Sequence, residues 1–534
     1  MRAIARPGII LLLALAVGPM LVLTMLAGML WPEAGTAEAN EEPFLSGVTA
    51  IAAGGSHTCA LTTVGGVKCW GDNEFGQLGN GTTNDSAIPV DVLALGTTAT
   101  AIAAGQYHTC AVTTQGGLKC WGDNRIGQLG DGTITIRTIP TDVIQLNGNI
   151  VAVSPSSSHT CAVTAGGNVI CWGSNFAGEL GIESTDTCEV PSMGTFPCSV
   201  TPVDVVSLGT TATNIATGFV HTCALTTAAG VKCWGSNING ELGDGNGGDS
   251  DAFGPTPVDV VGMTDGVAAI AAGNWHSCVV TTEGGVKCWG DNFNGQLGAG
   301  CSGTGCGSIV PVDVMGLVDS ATNIGAGFRH TCALIEDGGV ECWGLNASGQ
   351  LGDATSTNHL SPMAVVELGS TAAAISAGDY HTCALTAAGT VKCWGANFAG
   401  QLGDGTTTDS ATPVDVIADN DNDGCSDIQE QGSTAVLGGL RDPKSFWDFF
   451  DTPDGSNARD RAITIADIGR IVARFGTTGD PAGDPLSPPP AIGYHTAFDR
   501  TPLGPELWNL GPPNGAVTVQ DIGLMVAQFG HTCA

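Results

Sequence analysis

The sequence predicts an all-β protein, a seven-bladed β-propeller followed by a small C-terminal region of calcium-loop and helical character. Three observations carry this. One motif, His-Thr/Ser-Cys, a short apolar run, a glycine-rich turn and Cys-Trp-Gly, recurs seven times, starting at His57, His108, His159, His221, His276, His330 and His381. In every copy the two cysteines lie ten residues apart. With 80 glycines and only 13% charged residues among 534, the chain suits a turn-rich β protein, and 43% apolar residues argue against a disordered one.

The first forty residues come first in the chain and set the compartment. Arg2 and Arg6 precede an apolar stretch from Gly8 to Leu30, and Ala37-Glu38-Ala39 offers a small-residue cleavage site. Residues 1–39 therefore read as a signal peptide or, uncleaved, as an N-terminal anchor, and either exports the rest to the cell surface or beyond. Twenty cysteines in an exported chain are expected to be oxidised.

The repeats occupy residues 46–418. In the first copy, residues 49–54, 58–62, 67–71 and 88–92 read as four short strands, the last edge-like because it carries Pro89. Four short strands about every fifty residues mark a propeller, whose blades bury their faces against one another. Cysteines ten apart face each other across a hairpin only if its loop has an odd number of residues. A three-residue loop wants its third residue left-handed, usually glycine. That position is Gly65, Gly116, Gly167, Gly284, Gly338 and Gly389 in six copies and Ala229 in the fourth. Cross-strand disulfides follow: Cys59–Cys69, Cys110–Cys120, Cys161–Cys171, Cys223–Cys233, Cys278–Cys288, Cys332–Cys342 and Cys383–Cys393. Cys188–Cys198 and Cys301–Cys306 read as clips on insertions in the third and fifth copies, and Cys425–Cys533 as a bridge bracketing the C-terminal region. Zinc is disfavoured, since its ligand pairs are usually closer.

The run Gly-x-x-His-Thr-Cys-Ala-Leu-Thr…Gly-Gly-Val-Lys-Cys-Trp-Gly-Asp-Asn-x-x-Gly-Gln-Leu-Gly closely resembles the regulator of chromosome condensation repeat. The resemblance implies a seven-bladed propeller, and the paired cysteines are a departure that suits an exported, secreted bacterial type. Its founder activates a small GTPase and docks on chromatin. A guanine-nucleotide exchange role is therefore one alternative here, and a component of an extracellular polysaccharide-degrading enzyme is another.

Charge narrows the partners. Seventeen Lys and Arg against 51 Asp and Glu give a formal charge of −34, so nucleic acid is not expected. A membrane enters only if the N-terminal segment stays uncleaved. No nucleophile elbow, zinc-protease or phosphate-loop motif occurs, so the chain is not expected to be an enzyme. The motif histidines and tryptophans read as packing elements. The two residues before each histidine instead vary from copy to copy, and they include two of the three tyrosines. Variation inside a fixed repeat marks a surface loop, and Tyr, Trp and Arg are interface anchors. Tyr107, Phe219, Trp275, Phe328, Arg329 and Tyr380 are therefore the candidate face for an extracellular protein or glycan.

Past Val416 the composition changes. Residues 419–430 match the EF-hand calcium loop, with Asp419, Asp421, Asp423, Asp427 and Glu430 as side-chain donors, Cys425 as a carbonyl donor and Gly424 at the sharp turn. Calcium is the expected cofactor. In residues 446–534, Ile463–Gly476 and Val517–Gly530 echo each other as amphipathic helices separated by a proline-rich spacer. This tandem resembles a dockerin, which implies calcium and a cohesin-like partner. Of the expected ligand positions, Asp460, Asp467, Asn514 and Asp521 carry suitable side chains, while Ala458, Arg461, Leu510 and Pro512 do not.

Overall fold

A computed structural model describes residues 44–419, with short breaks at 147–148, 184–185, 191–193, 210, 248–252 and 318, and one backbone pairing of residues 501–502 with 510–511. The expected N-terminal export segment, most of the expected calcium loop (Asp421, Asp423, Cys425, Asp427 and Glu430), the expected dockerin-like positions Asp460, Asp467, Asn514 and Asp521, and the expected Cys425–Cys533 bridge lie outside the described residues.

Seven antiparallel sheets follow one another along the chain, each built from consecutive strands. Blade 1 comprises β1 (Val48–Ala53), β2 (His57–Thr62), β3 (Val67–Gly71) and β4 (Ser86–Asp91), paired in that order. The strand bounds expected from sequence are met within two residues. Blade 3 departs from the pattern: its insertion adds a fifth strand, Thr187–Val190, paired with Gly194–Asp204. The one helix among the described residues is a single 3-10 turn, Val206–Leu208, and none there is long and apolar enough to cross a membrane.

Cys59 pairs directly with Cys69 in the β2–β3 register, with Cα atoms 4.0 Å apart, and all seven motif pairs are bonded in the same way. The turn that permits this register closes through Gly65 N–H donating to Thr62 O at 2.9 Å, with Gly65 at φ 82°. Ala229 takes the same left-handed conformation at φ 58° without glycine's freedom. Cys188–Cys198 is bonded across the insertion hairpin.

The fifth-blade pair corrects expectation. Cys301 and Cys306 are free thiols. Their loop is held without a covalent clip, because the buried Asn292 amide donates to both Cys301 O (3.0 Å) and Cys306 O (3.2 Å), and Gly303 N–H donates to Phe293 O.

The core is seven clusters, each straddling a joint between blades. At the joint of blades 1 and 2, Leu61, Val67 and Leu78 pack with Leu95, Ala111 and Trp121. Every motif Trp is fully buried, and its indole N–H donates to a main-chain carbonyl of the preceding blade, as Trp121 does to Gln77 O at 2.8 Å. The motif histidines complete the joints. His57 Nε2 meets Thr109 Oγ1 of blade 2 at 2.8 Å, and this link repeats around the ring until His381 meets Thr58. Thr109 Oγ1 itself donates to Gln77 O, so the histidine must be the donor, protonated on Nε2 and neutral. Burial pushes His57 down to about 3 and His108 to about 4, with neighbouring His381 and His108 adding to the effect at His57.

Candidate functional site

The first strands line a narrow central channel of about 280 Å³. The variable residues stand at one mouth of it, in the turns between each first strand and its motif histidine. All six candidate residues are half-buried. Five of them form an arc across blades 4 to 7, and Tyr107 is separate. Phe219 and Trp275 pack ring to ring across the joint of blades 4 and 5 at 5.1 Å. Phe328 and Tyr380 do so across blades 6 and 7 at 5.2 Å, with the Arg329 guanidinium 5.4 Å from the Phe328 ring. Tyr107 stands apart and packs edge-on against Phe75 of blade 1 at 5.4 Å.

Phe75 and, one position earlier in their own loops, Arg125, Phe176, Ile238, Phe293 and Phe398 form an outer collar missed by the sequence reading. They lie in the loop after the buried motif asparagine, whose side-chain amide braces that loop: Asn73 Oδ1 accepts from Leu78 N–H, and Asn73 Nδ2 donates to Asn84 O. The next residues point outward and vary between blades. They include Arg125, stacked over Phe75 at 4.3 Å, and the exposed Phe176, Ile238, Phe293 and Phe398. The signal was present, because the two residues after the motif asparagine change from blade to blade while the letters around them stay fixed.

Two polar features organise the face. Asp379 and Gln106 reach across blade 1 to form a hydrogen bond, Gln106 Nε2 donating to Asp379 Oδ2 at 2.7 Å. Blade 1 carries Gly55 at that point, and a Cβ there would come within 2.6 Å of Gln106 O. Burial raises the Asp379 carboxyl to about 6, with Gln106 opposing. Elsewhere, all eight Lys and Arg side chains among the described residues pair with an aspartate. Among the described residues, no three His, Cys, Asp or Glu side chains gather as a metal site. Asp419, the one described member of the expected calcium loop, is buried, and its main-chain carbonyl lies 3.4 Å from Lys68 Nζ.

This repeat architecture matches the regulator of chromosome condensation (RCC1) repeat, at residues 65–112, 115–163, 231–280, 283–334 and 337–385 in one form. In a second, shorter form it matches seven times between residues 48 and 401. The chain belongs to the regulator of chromosome condensation repeat family. Among RCC1-repeat proteins it is 32% identical to the ultraviolet-B receptor UVR8 of Arabidopsis thaliana over 68% of this chain and 81% of that one. It is 30% identical to the human E3 ubiquitin-protein ligase HERC2 over 69% of this chain, which spans only 7% of that protein. The crystal structure of Prp20p from Saccharomyces cerevisiae, described together with its binding to Gsp1p and histones, superposes with a TM-score of 0.58. It shows 19% identity and covers 70% of this chain and 88% of that one, a likeness of fold. RCC1 propellers of this kind are mostly non-catalytic binders or regulators.

Proposed function

We propose that this chain is a non-catalytic recognition propeller that acts outside the cell and binds a protein partner through the mouth that carries the variable residues. The calcium-loop and dockerin-like region would serve as its attachment module. The observation that carries the reading is the division of labour within each repeat. The fixed His, Cys and Trp are fully buried in the joints, while the residues that differ between blades gather as Tyr, Trp, Phe and Arg side chains around one mouth. Such residues anchor interfaces when desolvated by a partner. Export rests on the N-terminal apolar stretch and on twenty cysteines. Calcium rests on the Asp419–Glu430 pattern.

The test is a pull-down with the tagged full chain from an extracellular extract, with calcium and with chelator. We expect a specific protein partner whose capture drops at least tenfold in Trp275→Ala and Tyr380→Ala. Capture unchanged by both substitutions would remove the face from the reading. An exchange-factor role, by likeness to the Prp20p fold, predicts instead a cytosolic location and accelerated nucleotide release from a small GTPase.

A further inference from the structure

One sector of the aromatic mouth, spanning blades 4 to 6, is a cleft of about 720 Å³, within the range of small-ligand sites. Its apolar walls are Trp275, backed by Phe219, together with Phe293 and Ile238. Its polar groups are few and fixed. The Asp291 carboxylate accepts from Phe293 N–H (3.0 Å) and Gln296 Nε2 (3.0 Å), and Arg329 Nε sits 3.3 Å from it. The guanidinium carbon lies 5.5 Å from the centre of the Phe293 ring and 5.4 Å from that of Phe328. Arg329 Nε is nevertheless buried and meets no acceptor in hydrogen-bond alignment. Asn239 and Thr304 complete the rim.

The chemistry of the occupant follows by elimination. Asp291 and Arg329 cancel, so the cleft carries no net charge. An anion would approach a chain of charge −34, and a cation would have to displace Arg329 from Asp291. A purely apolar body would dehydrate the partly exposed Asp291–Arg329 ion pair and return no hydrogen bond to it. A neutral ring with one C–H face and a rim of hydroxyls meets every requirement. Its face lies on Trp275 or Phe293, and adjacent hydroxyls donate to Asp291 and accept from Arg329.

We propose that this cleft binds a neutral saccharide unit. The proposal assigns a second ligand to one sector of the mouth and stands whether or not a protein partner is captured there.

The test uses the purified full chain and four neutral oligosaccharides, cellohexaose, xylohexaose, mannohexaose and laminarihexaose, with oligogalacturonate as an anionic control. Calorimetry and tryptophan fluorescence are expected to show saturable binding of at least one neutral oligomer and none of the anionic one. Affinity should fall at least tenfold in Trp275→Ala, Phe293→Ala and Arg329→Met, and stay unchanged in Phe398→Ala, which lies on the collar outside the cleft. Phe293 is 51% exposed, so its replacement tests the cleft without disturbing a joint. No binding of any neutral oligomer, preference for the anionic one, or binding indifferent to Phe293→Ala and Arg329→Met would each overturn the proposal.

Discussion

Thr109 stands at a three-way junction: it accepts from His57 of the preceding blade and donates to Gln77 O, the carbonyl that also takes the Trp121 indole. Thr109→Val keeps the shape and removes the hydroxyl, so His57 keeps a buried N–H with no acceptor. We expect a loss of about 1–3 kcal/mol in chemical denaturation with the disulfides intact. Thr109→Ser should cost much less, because blade 5 already uses Ser277 in this role, receiving His221 at 2.9 Å. An equal loss in both variants would show that packing, not the hydroxyl, holds the joint. The histidine was legible as a structural letter from its repetition. Its partner was not, because it sits 52 residues downstream in another blade, and no local pattern links positions that meet only when the ring closes.

At the level of the hairpin the sequence was most informative. The ten-residue cysteine spacing and the glycine at its third loop position together define turn, register and disulfide, and the structure has all three. Ala229 is the exception that can be tested. An alanine held at φ 58° carries left-handed strain, so Ala229→Gly should raise stability by about 0.5–1 kcal/mol, reduced by the extra freedom glycine gives the unfolded chain. A fall in thermal midpoint would contradict this. Less regular elements were read less well. The Cys301 and Cys306 spacing suggested a clip, yet the loop is held by Asn292, a contact that depends on where a buried amide points. The inner collar of variable residues was recognised, whereas Phe75, Arg125 and Phe293 were not. Their variation between the fixed Asn and Gly was visible in the sequence, but that those side chains turn outward shows only once the motif asparagine is seen bracing the loop.

The ring as a whole carries a pH dependence that no single blade shows strongly. His57, His159, His276 and His381 lie near 3 and His108, His221 and His330 near 4, all depressed first by burial. Well above pH 6.5, near pH 8, both folded and unfolded histidines are neutral and contribute almost nothing to the slope. As pH falls below 6.5 the unfolded chain takes up protons that the native ring refuses, so stability is lost, by up to about 1.4 kcal/mol per pH unit for each histidine. Asp379, Glu179, Glu241 and Asp72 act oppositely, since burial raises all four and the native state binds their protons first. Seven outweigh four. The thermal midpoint should therefore be flat from pH 8 to 7 and drop progressively between pH 6 and 4. A midpoint constant down to pH 4.5 would mean that the histidines are not held neutral.

The joint between the last blade and the first deserves comparison with the other six. Leu45 N–H donates to Val416 O at 2.9 Å, Val48 N–H donates to Gly389 O, and Leu45 and Val48 fill the places that Leu95 and Ala99 occupy at the next joint. Two separate stretches of chain thus rebuild, side by side, what a continuous connector supplies elsewhere, and no blade is shared between them. The circle carries no mark of its own origin. A permuted chain that joined residue 419 to residue 44 and opened between any other two blades would contain the same seven joints, so the choice of which blade comes first is mechanically neutral while the order around the ring is kept.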